Sequence, residues 1–219
     1  EMRDRIQRQI EQRTTMLAGV SHDLRTPLTR LKLQLAMLPQ GNEIEELNTD
    51  ISEMEDMLDD YLAFARGYQG ESASMAALAP FMTQIHHDAE RRWPDVQLRL
   101  TGTLEMEVAM KQNALRRCVT NLVNNACNHA ALVHVAAQMN SNRKMVHITV
   151  DDNGTGIPED KLEEVFRPFF RLDDARNAQM GGTGLGLAIA RDVARGHGGD
   201  IVLSKSALGG LRATVSLPV

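Results

Sequence analysis

Residues 121–129 read Asn121-Leu122-Val123-Asn124-Asn125-Ala126-Cys127-Asn128-His129. Four asparagines fall within eight residues of a stretch, 113–129, whose pattern is otherwise helical. Asparagine is a poor helix former because its amide competes for backbone partners. This density therefore asks for a reason. Asn121 and Asn125 are one turn apart, so their amide oxygens line one face. Such oxygens suit a hard cation such as Mg2+ that keeps phosphates and waters as its other ligands. A plain polar helix face is the rival reading, and the stretch alone does not separate the two.

Downstream, Val150-Asp151-Asp152-Asn153-Gly154-Thr155-Gly156-Ile157-Pro158 reads as a strand running into an acidic pair and a glycine-rich turn. Asp-Asn-Gly turns are common. A carboxylate buried beside one could also accept a hydrogen bond from an adenine amino group. Further on, Gly181-Gly182-Thr183-Gly184-Leu185-Gly186-Leu187-Ala188-Ile189 puts four glycines in six residues before an amphipathic helix. Free N–H groups at a helix start, with no Cβ in the way, make a phosphate cradle. The P-loop and dinucleotide fingerprints do not fit, because no Lys-Ser/Thr follows and no βαβ unit surrounds the loop.

Upstream, residues 1–38 read as one long helix, with apolar positions Ile6, Ile10, Leu17, Val20, Leu24, Leu31, Leu35 and Leu38 stepping by three and four. The seam starts at Glu1 in mid-pattern, as expected of a piece cut from a longer chain. After a break at Pro39, Gly41 and Asn42, a second stripe runs from Ile44 through Leu47, Ile51, Met54, Leu58 and Tyr61 to Ala65. Residues 43–60 hold nine acidic side chains and no basic one, whereas residues 1–32 hold seven Arg or Lys against four Asp or Glu. Complementary charge and a short connection predict antiparallel helices. Two such stripes cannot bury themselves, so a four-helix bundle of two copies is expected. His22 stands two residues from both Val20 and Leu24, about 200° from the seam at roughly 100° per residue, hence toward solvent. It sits in Ser21-His22-Asp23-Leu24-Arg25-Thr26-Pro27-Leu28, with Thr26 one turn on. A neutral exposed imidazole is a competent nucleophile. A solvated surface histidine is the plain alternative, weakened by the cost of a helical proline, roughly 3 kcal/mol.

The rest of the chain bounds the class. Its 219 residues are 42 % hydrophobic and only 4 % aromatic, with twelve methionines and a net charge of −5. The acidic balance disfavours a nucleic-acid binder. No apolar run approaches the roughly 18 residues of a membrane span, and no leader or membrane contact is expected in this stretch. Cys118 and Cys127 read as free thiols packed as small hydrophobes, in a reducing compartment. Residues 67–76 read as a linker. Beyond it the expected elements are a helix Pro80–Arg92 with Pro80 in first position, strands 96–101 and 104–108, helix 113–129, strands 133–138 and 146–150, a short helix 161–166, helix 185–195, and strands 201–204 and 213–217. That order indicates an α+β sandwich. His86 and His87 are adjacent on a helix and are expected to diverge, so no zinc site is read there.

Taken in order, these stretches resemble the sensor histidine kinases of two-component systems. Ser21–Leu28 resembles their H-box, Asn121–His129 the N-box, Asp152–Gly156 and Gly182–Gly186 the two glycine boxes, and Phe166-Arg167-Pro168-Phe169-Phe170 the F-box. The H-box is most similar to that of the EnvZ-like sensors. The resemblance implies a dimeric phosphotransfer hairpin over residues 1–66, dimerising through 1–65, and an ATP-binding α+β sandwich of the gyrase and heat-shock chaperone class over 77–219. It implies that His22 takes the γ-phosphoryl group of ATP, that Asp23 orients and polarises the imidazole, and that Thr26 helps remove phosphate from a response regulator, of OmpR-like type. Asn125 would bind Mg2+ with Asn121 in support. Asp152 would read adenine beside Gly154, Gly156 and Ile157. Asn128, His129, Phe169, Gly182, Thr183, Gly184, Leu185, Gly186 and Leu187 would complete the nucleotide site, with 171–183 as its lid. Such kinases often place Lys or Arg where Asn128 stands, and His129, Arg171 or Arg176 would have to compensate. The whole protein would be a bacterial inner-membrane sensor, with this stretch on the cytoplasmic side. An ATP-driven clamp without phosphotransfer, and a pseudokinase that only docks partners, are the rival readings.

Overall fold

The computed structural model describes residues 24–38, 41, 43–44, 47–48, 50–52, 54–55, 58, 71–140, 144–172 and 183–219. His22, Asp23, Gly182, Arg176 and the earlier half of the first stripe lie outside the described residues, as do most of the linker and of the lid.

Residues 24–36 are helical with Pro27 inside them, and the described positions from 43 to 58 are helical again. Lys32 Nζ bonds Glu55 Oε2 between the two stretches, the basic-to-acidic pairing that the charge pattern predicts. Leu28 and Ile51 are the buried apolar residues here. Leu28 was absent from the predicted stripe. The seam residues Leu24, Leu31 and Leu38, spaced by seven, stay about half exposed, and so do Leu47 and Met54. The first helix therefore uses one face for its own hairpin and leaves a second apolar face uncovered.

From residue 74 the chain forms two layers. The elements are β1 (Ser74–Ala77), α1 (Leu78–Arg92), β2 (Gln97–Gly102), β3 (Glu107–Met110), α2 (Gln112–His129), β4 (Leu132–Met139), β5 (Met145–Asp152), α3 (Gly186–Gly196), β6 (Asp200–Lys205) and β7 (Leu211–Pro218). Five strands make one sheet in the order β2-β4-β5-β7-β6, parallel only between β2 and β4. That parallel pair needs a crossover, and α2 lies within it. The three helices cover one face. Alternation sends Val133, Val135, Ala137, Val146, Ile148, Val150, Ala213, Val215 and Leu217 into the core. Leu115, Val119, Leu122 and Val123 of α2 and Ile189 and Val193 of α3 meet them. His134, Thr149, Thr214 and Ser216 alternate onto the other, more open face. No helix among the described residues is long and apolar enough to cross a membrane.

Several local expectations change. Ser74–Ala76, read as the end of the linker, are in β1, which pairs antiparallel with β3. The helix read from Pro80 begins at Leu78, so Pro80 is its third residue. Proline is still tolerated there, because first-turn N–H groups lack helical partners. The short helix read over 161–166 is two 3-10 turns, Glu159–Lys161 and Glu164–Phe166. Cys118 and Cys127 are free and buried, as expected. Burial pushes the Cys118 thiol up to about 12. Burial, then the nearby Asp152 charge, pushes Cys127 up to about 11.

Candidate functional site

Four segments distant in sequence meet along the second half of α2. The first is α2 itself. It has no side-chain cap of its own; the carboxylate of Glu71 instead accepts the N–H groups of Asn113 and Ala114, at 2.9 and 3.1 Å. Leu122, Val123, Ala126 and Cys127 are buried, which leaves Asn121, Asn124, Asn125 and Asn128 half-buried and His129 exposed. The four asparagines are not equivalent. Asn124 Oδ1 accepts from Trp93 Nε1 at 3.1 Å and so ties α2 to the end of α1. Asn121 Nδ2 donates to Gly186 O at 3.3 Å, and turns its amide oxygen away from that contact.

The second segment is the turn after β5. Asp151 and Asp152 are consecutive strand residues, so they point to opposite faces. Both are almost fully buried. Asp152 Oδ1 accepts from the N–H of Gly154 at 2.8 Å and of Leu211 at 3.0 Å. No hydrogen bond engages Oδ2 among the described residues. One carboxylate oxygen is thus anchored and the other is available to a ligand. Gly154 cannot carry a Cβ, because one would stand 2.6 Å from the carbonyl oxygen of His129 at the end of α2.

The third segment is the start of α3. Gly184 has φ +67°, and a Cβ there would meet the Phe169 backbone at 2.9 Å, so conformation and close approach both require glycine. Its carbonyl accepts from Phe169 N–H at 3.0 Å. Thr183 Oγ1 accepts from Leu185 N–H at 3.1 Å. Leu185 is buried in the core and Leu187 packs against it, so toward a phosphate these residues offer backbone alone. The F-box divides likewise. Phe166 and Phe170 pack into the core, while the side chain of Phe169 is 61 % exposed, with φ 65°. Phe169 thus meets Gly184 through its backbone N–H, while its ring stays outside the core. Arg191 of α3 braces the region, with its guanidinium 4.3 Å from the Phe166 ring and bonded to Glu163 and Asp200.

The fourth segment, the turn between β6 and β7, was not read as part of a site. It supplies the Leu211 N–H to Asp152, and the N–H of Gly210 donates to the Asp152 carbonyl at 3.1 Å. The pair Gly209-Gly210 before the last strand was the available signal. Glu71 gave none, since nothing local marks an acid that caps a helix 41 residues away.

Together the segments form one rim, with an anchored acceptor at the end of β5, amide side chains along α2, and the N-terminus of α3 beside Asn121. Such a rim can take a purine amino group, a hard cation and phosphates. Of the predicted residues, Asn121, Asn125, Asn128, His129, Asp152, Gly154, Gly156, Ile157, Thr183, Gly184, Leu185, Gly186 and Leu187 belong to these segments. Thr26 lies apart, exposed on the first helix. A separate cluster corrects a second expectation. His86 and His87 do not diverge, and both Nδ1 atoms come within 3.4 Å of Glu90 Oε2.

Comparison with known proteins covers both regions. Residues 110–219 match the family described as histidine kinase-, DNA gyrase B-, and HSP90-like ATPase, and residues 12–70 match the His Kinase A (phospho-acceptor) domain. The sensor histidine kinase GtrS of Pseudomonas aeruginosa is 33 % identical over 99 % of this chain and 44 % of its own length. The sensor protein RstB of Escherichia coli is 33 % identical over 100 % of this chain and 52 % of its own. The chain therefore spans about half the length of the curated relatives it matches. Among solved structures, the ATP binding domain of PrrB from Mycobacterium tuberculosis superposes with a TM-score of 0.56 at 32 % identity, over 67 % of this chain and 97 % of that one. Full-length ShkA in complex with AMPPNP gives a TM-score of 0.70 at 22 % identity, over 91 % and 44 %. The second likeness concerns the fold.

Proposed function

The chain belongs to the sensor histidine kinases of two-component systems, and on that premise we propose that it transfers the γ-phosphoryl group of ATP to His22 and then to an aspartate of a response regulator. The observation that carries the nucleotide half is the Asp152 carboxylate, with Oδ1 fixed by two backbone N–H groups and Oδ2 without a hydrogen-bond partner among the described residues. A fixed acceptor suits the adenine amino group, whereas guanine presents a carbonyl oxygen there. Phosphates then lie toward the start of α3, where the glycines expose backbone N–H groups.

The donor set fits a magnesium ion. Asn125 is half-buried on the face that Asn121 shares, and both offer neutral oxygens of the kind Mg2+ accepts while keeping phosphate ligands. Bound there, Mg2+ would offset phosphate charge. In the chain's own part of the reaction, His22 supplies the nucleophilic nitrogen, which displaces ADP from the γ-phosphorus. Asp23 holds the imidazole in orientation. Thr26, exposed one turn after His22, places a hydroxyl that can position water for phosphate removal from the regulator.

The exposed apolar face at Leu24, Leu31, Leu38, Leu47 and Met54 supports a homodimer with the hairpins at its centre. The regulator is read as OmpR-like. The relatives are named as sensors, and this stretch is read as the cytoplasmic part of a bacterial inner-membrane protein.

The test is incubation of the wild type and His22→Gln with γ-labelled ATP and Mg2+. We expect acid-labile, base-stable label on the wild type, none on His22→Gln, and equal ATP binding by both. Label on His22→Gln would overturn the acceptor assignment. ATP binding without label on the wild type would favour a clamp, and no ATP binding a pseudokinase.

A further inference from the structure

We propose that Ser206 and Arg212 are positioning residues for nucleotide recognition, acting through the buried carboxylate of Asp151 to fix the turn that holds Asp152. The inference rests on the reading of Asp152 as the adenine acceptor and extends it to residues outside the pocket.

Asp151 faces away from the helices yet is only 3 % exposed. Its Oδ1 accepts from Ser206 Oγ at 2.8 Å and from Arg212 Nε at 2.7 Å. Arg212 stands directly opposite Asp151 in the β5–β7 ladder. Burying a carboxylate is costly unless charge and hydrogen bonds satisfy it, so these partners are held firmly. Ser206 and Arg212 also bracket the β6–β7 turn. Within it, Ser206 N–H donates to Gly210 O at 2.9 Å, Gly209 N–H to Ser206 O at 3.1 Å, and Leu208 N–H to Ser206 Oγ at 3.1 Å. The Ser206 hydroxyl thus donates to Asp151 and accepts from the turn at once.

The inner edge of the same turn meets Asp152. Gly210 N–H reaches its carbonyl and Leu211 N–H its Oδ1. The fit is close: a Cβ on Gly210 would lie 2.1 Å from Asp152 Oδ1 and 2.5 Å from Gly154 N. Two adjacent aspartates therefore grip one turn from opposite faces of the sheet. Asp151 anchors its ends through side chains, and the turn's backbone sets the plane of the Asp152 carboxylate. If the outer grip loosens, Leu211 N–H drifts, Oδ1 keeps only Gly154, and Oδ2 loses its fixed aim at an exocyclic amine. Among the described residues, no hydrogen bond or ion pair joins Ser206 or Arg212 to the phosphate end at Asn125 and the start of α3.

The experiment uses the full dimeric chain, measuring ATP and GTP binding with Mg2+ by calorimetry and steady-state autophosphorylation. The wild type should prefer ATP. Ser206→Ala should bind ATP about five- to tenfold more weakly, the scale of losing one buried hydrogen bond. GTP binding should stay the same, so the preference shrinks by that factor. KM for ATP should rise with kcat unchanged, and Ser206→Thr should restore both. A purely structural role would instead lower the folded fraction and weaken both nucleotides alike. Arg212→Lys, which keeps the charge beside Asp151, is the second variant should Ser206→Ala not fold, and a smaller loss in the same direction is expected. Unchanged ATP-to-GTP preference in a folded variant overturns this inference alone. A wild type that binds neither nucleotide, or that binds both equally, overturns the reading of Asp152 and this inference with it.

Discussion

The helical hairpin and the sandwich solve the burial problem in opposite ways. In the sandwich, three helices close one face of the sheet, and the aliphatic residues between them, Leu78, Leu115, Ile148, Ile189 and Leu217 among them, are almost wholly inside. In the hairpin, among the described residues, only Leu28 and Ile51 are buried, while Leu31, Leu38, Leu47 and Met54 remain 45–50 % exposed. A sheet with helices on one side can satisfy its own pattern. Two helices cannot, because each has an apolar stripe wider than one neighbour covers. The sandwich is thus built as a unit within one chain and the hairpin as half of a unit.

The largest expected effect tests that contrast directly. Leu31→Glu with Leu38→Glu should weaken dimerisation by more than about a hundredfold, since each buried leucine contributes roughly 1.5–3 kcal/mol. Nucleotide affinity should stay unchanged. A dimeric mass by light scattering at micromolar concentration would break the comparison. In thermal melts of the wild type, the hairpin transition should rise with protein concentration and the sandwich transition should not.

Asn125→Ala should act only on the other region. About tenfold weaker ATP binding in Mg2+ is expected, the order for losing one polar contact in a charged site. Calorimetry with and without Mg2+ measures it, and an equal loss in both conditions would remove the metal from the assignment. Thr26→Ala belongs to the hairpin. Autophosphorylation and transfer should persist, while dephosphorylation of the regulator slows by about an order of magnitude. Following decay of phosphorylated regulator with ADP and Mg2+ decides it, and equal decay with both proteins would leave Thr26 a surface residue.

The smallest effect concerns the acid limb of sandwich stability. Burial raises the Asp200 carboxyl, but hydrogen bonds from Arg191, Arg195 and the Ile201 N–H outweigh it and hold the group at about 2. The folded value lies below the unfolded one, so this stabilisation is complete above about pH 4 and is lost as pH falls through about 2. Asp200 is 43 % exposed, so solvent screening limits the contribution to about 1 kcal/mol or less. Urea melts at pH 2.5 and 5 should show a smaller acid loss for Asp200→Asn than for the wild type.

Much of this was legible in the chain because the informative features are local. The asparagine helix, the Asp-Asn-Gly turn and the glycine run each declare themselves within ten residues, and their order carries the resemblance. Periodicity located most strands to within two residues. Boundaries failed where the deciding partner was remote. Ser74–Ala76 look like linker until Glu107–Met110 supplies an edge. Leu28 looks unremarkable until the hairpin, tied at Lys32 and Glu55, buries it.

By itself, then, the sequence determined the two kinds of region and the family, since composition and short spacing encode those. Only the tertiary structure separated the four asparagines, giving Asn124 to Trp93 and Asn121 to Gly186. Only it showed that Asp151 and Asp152, neighbours in the chain, grip the turn Ser206–Leu211 from opposite sides. The reason is physical. Propensity and pattern act over a few residues, whereas which oxygen is anchored and which is free depends on sheet register and on close approach between strands some sixty residues apart.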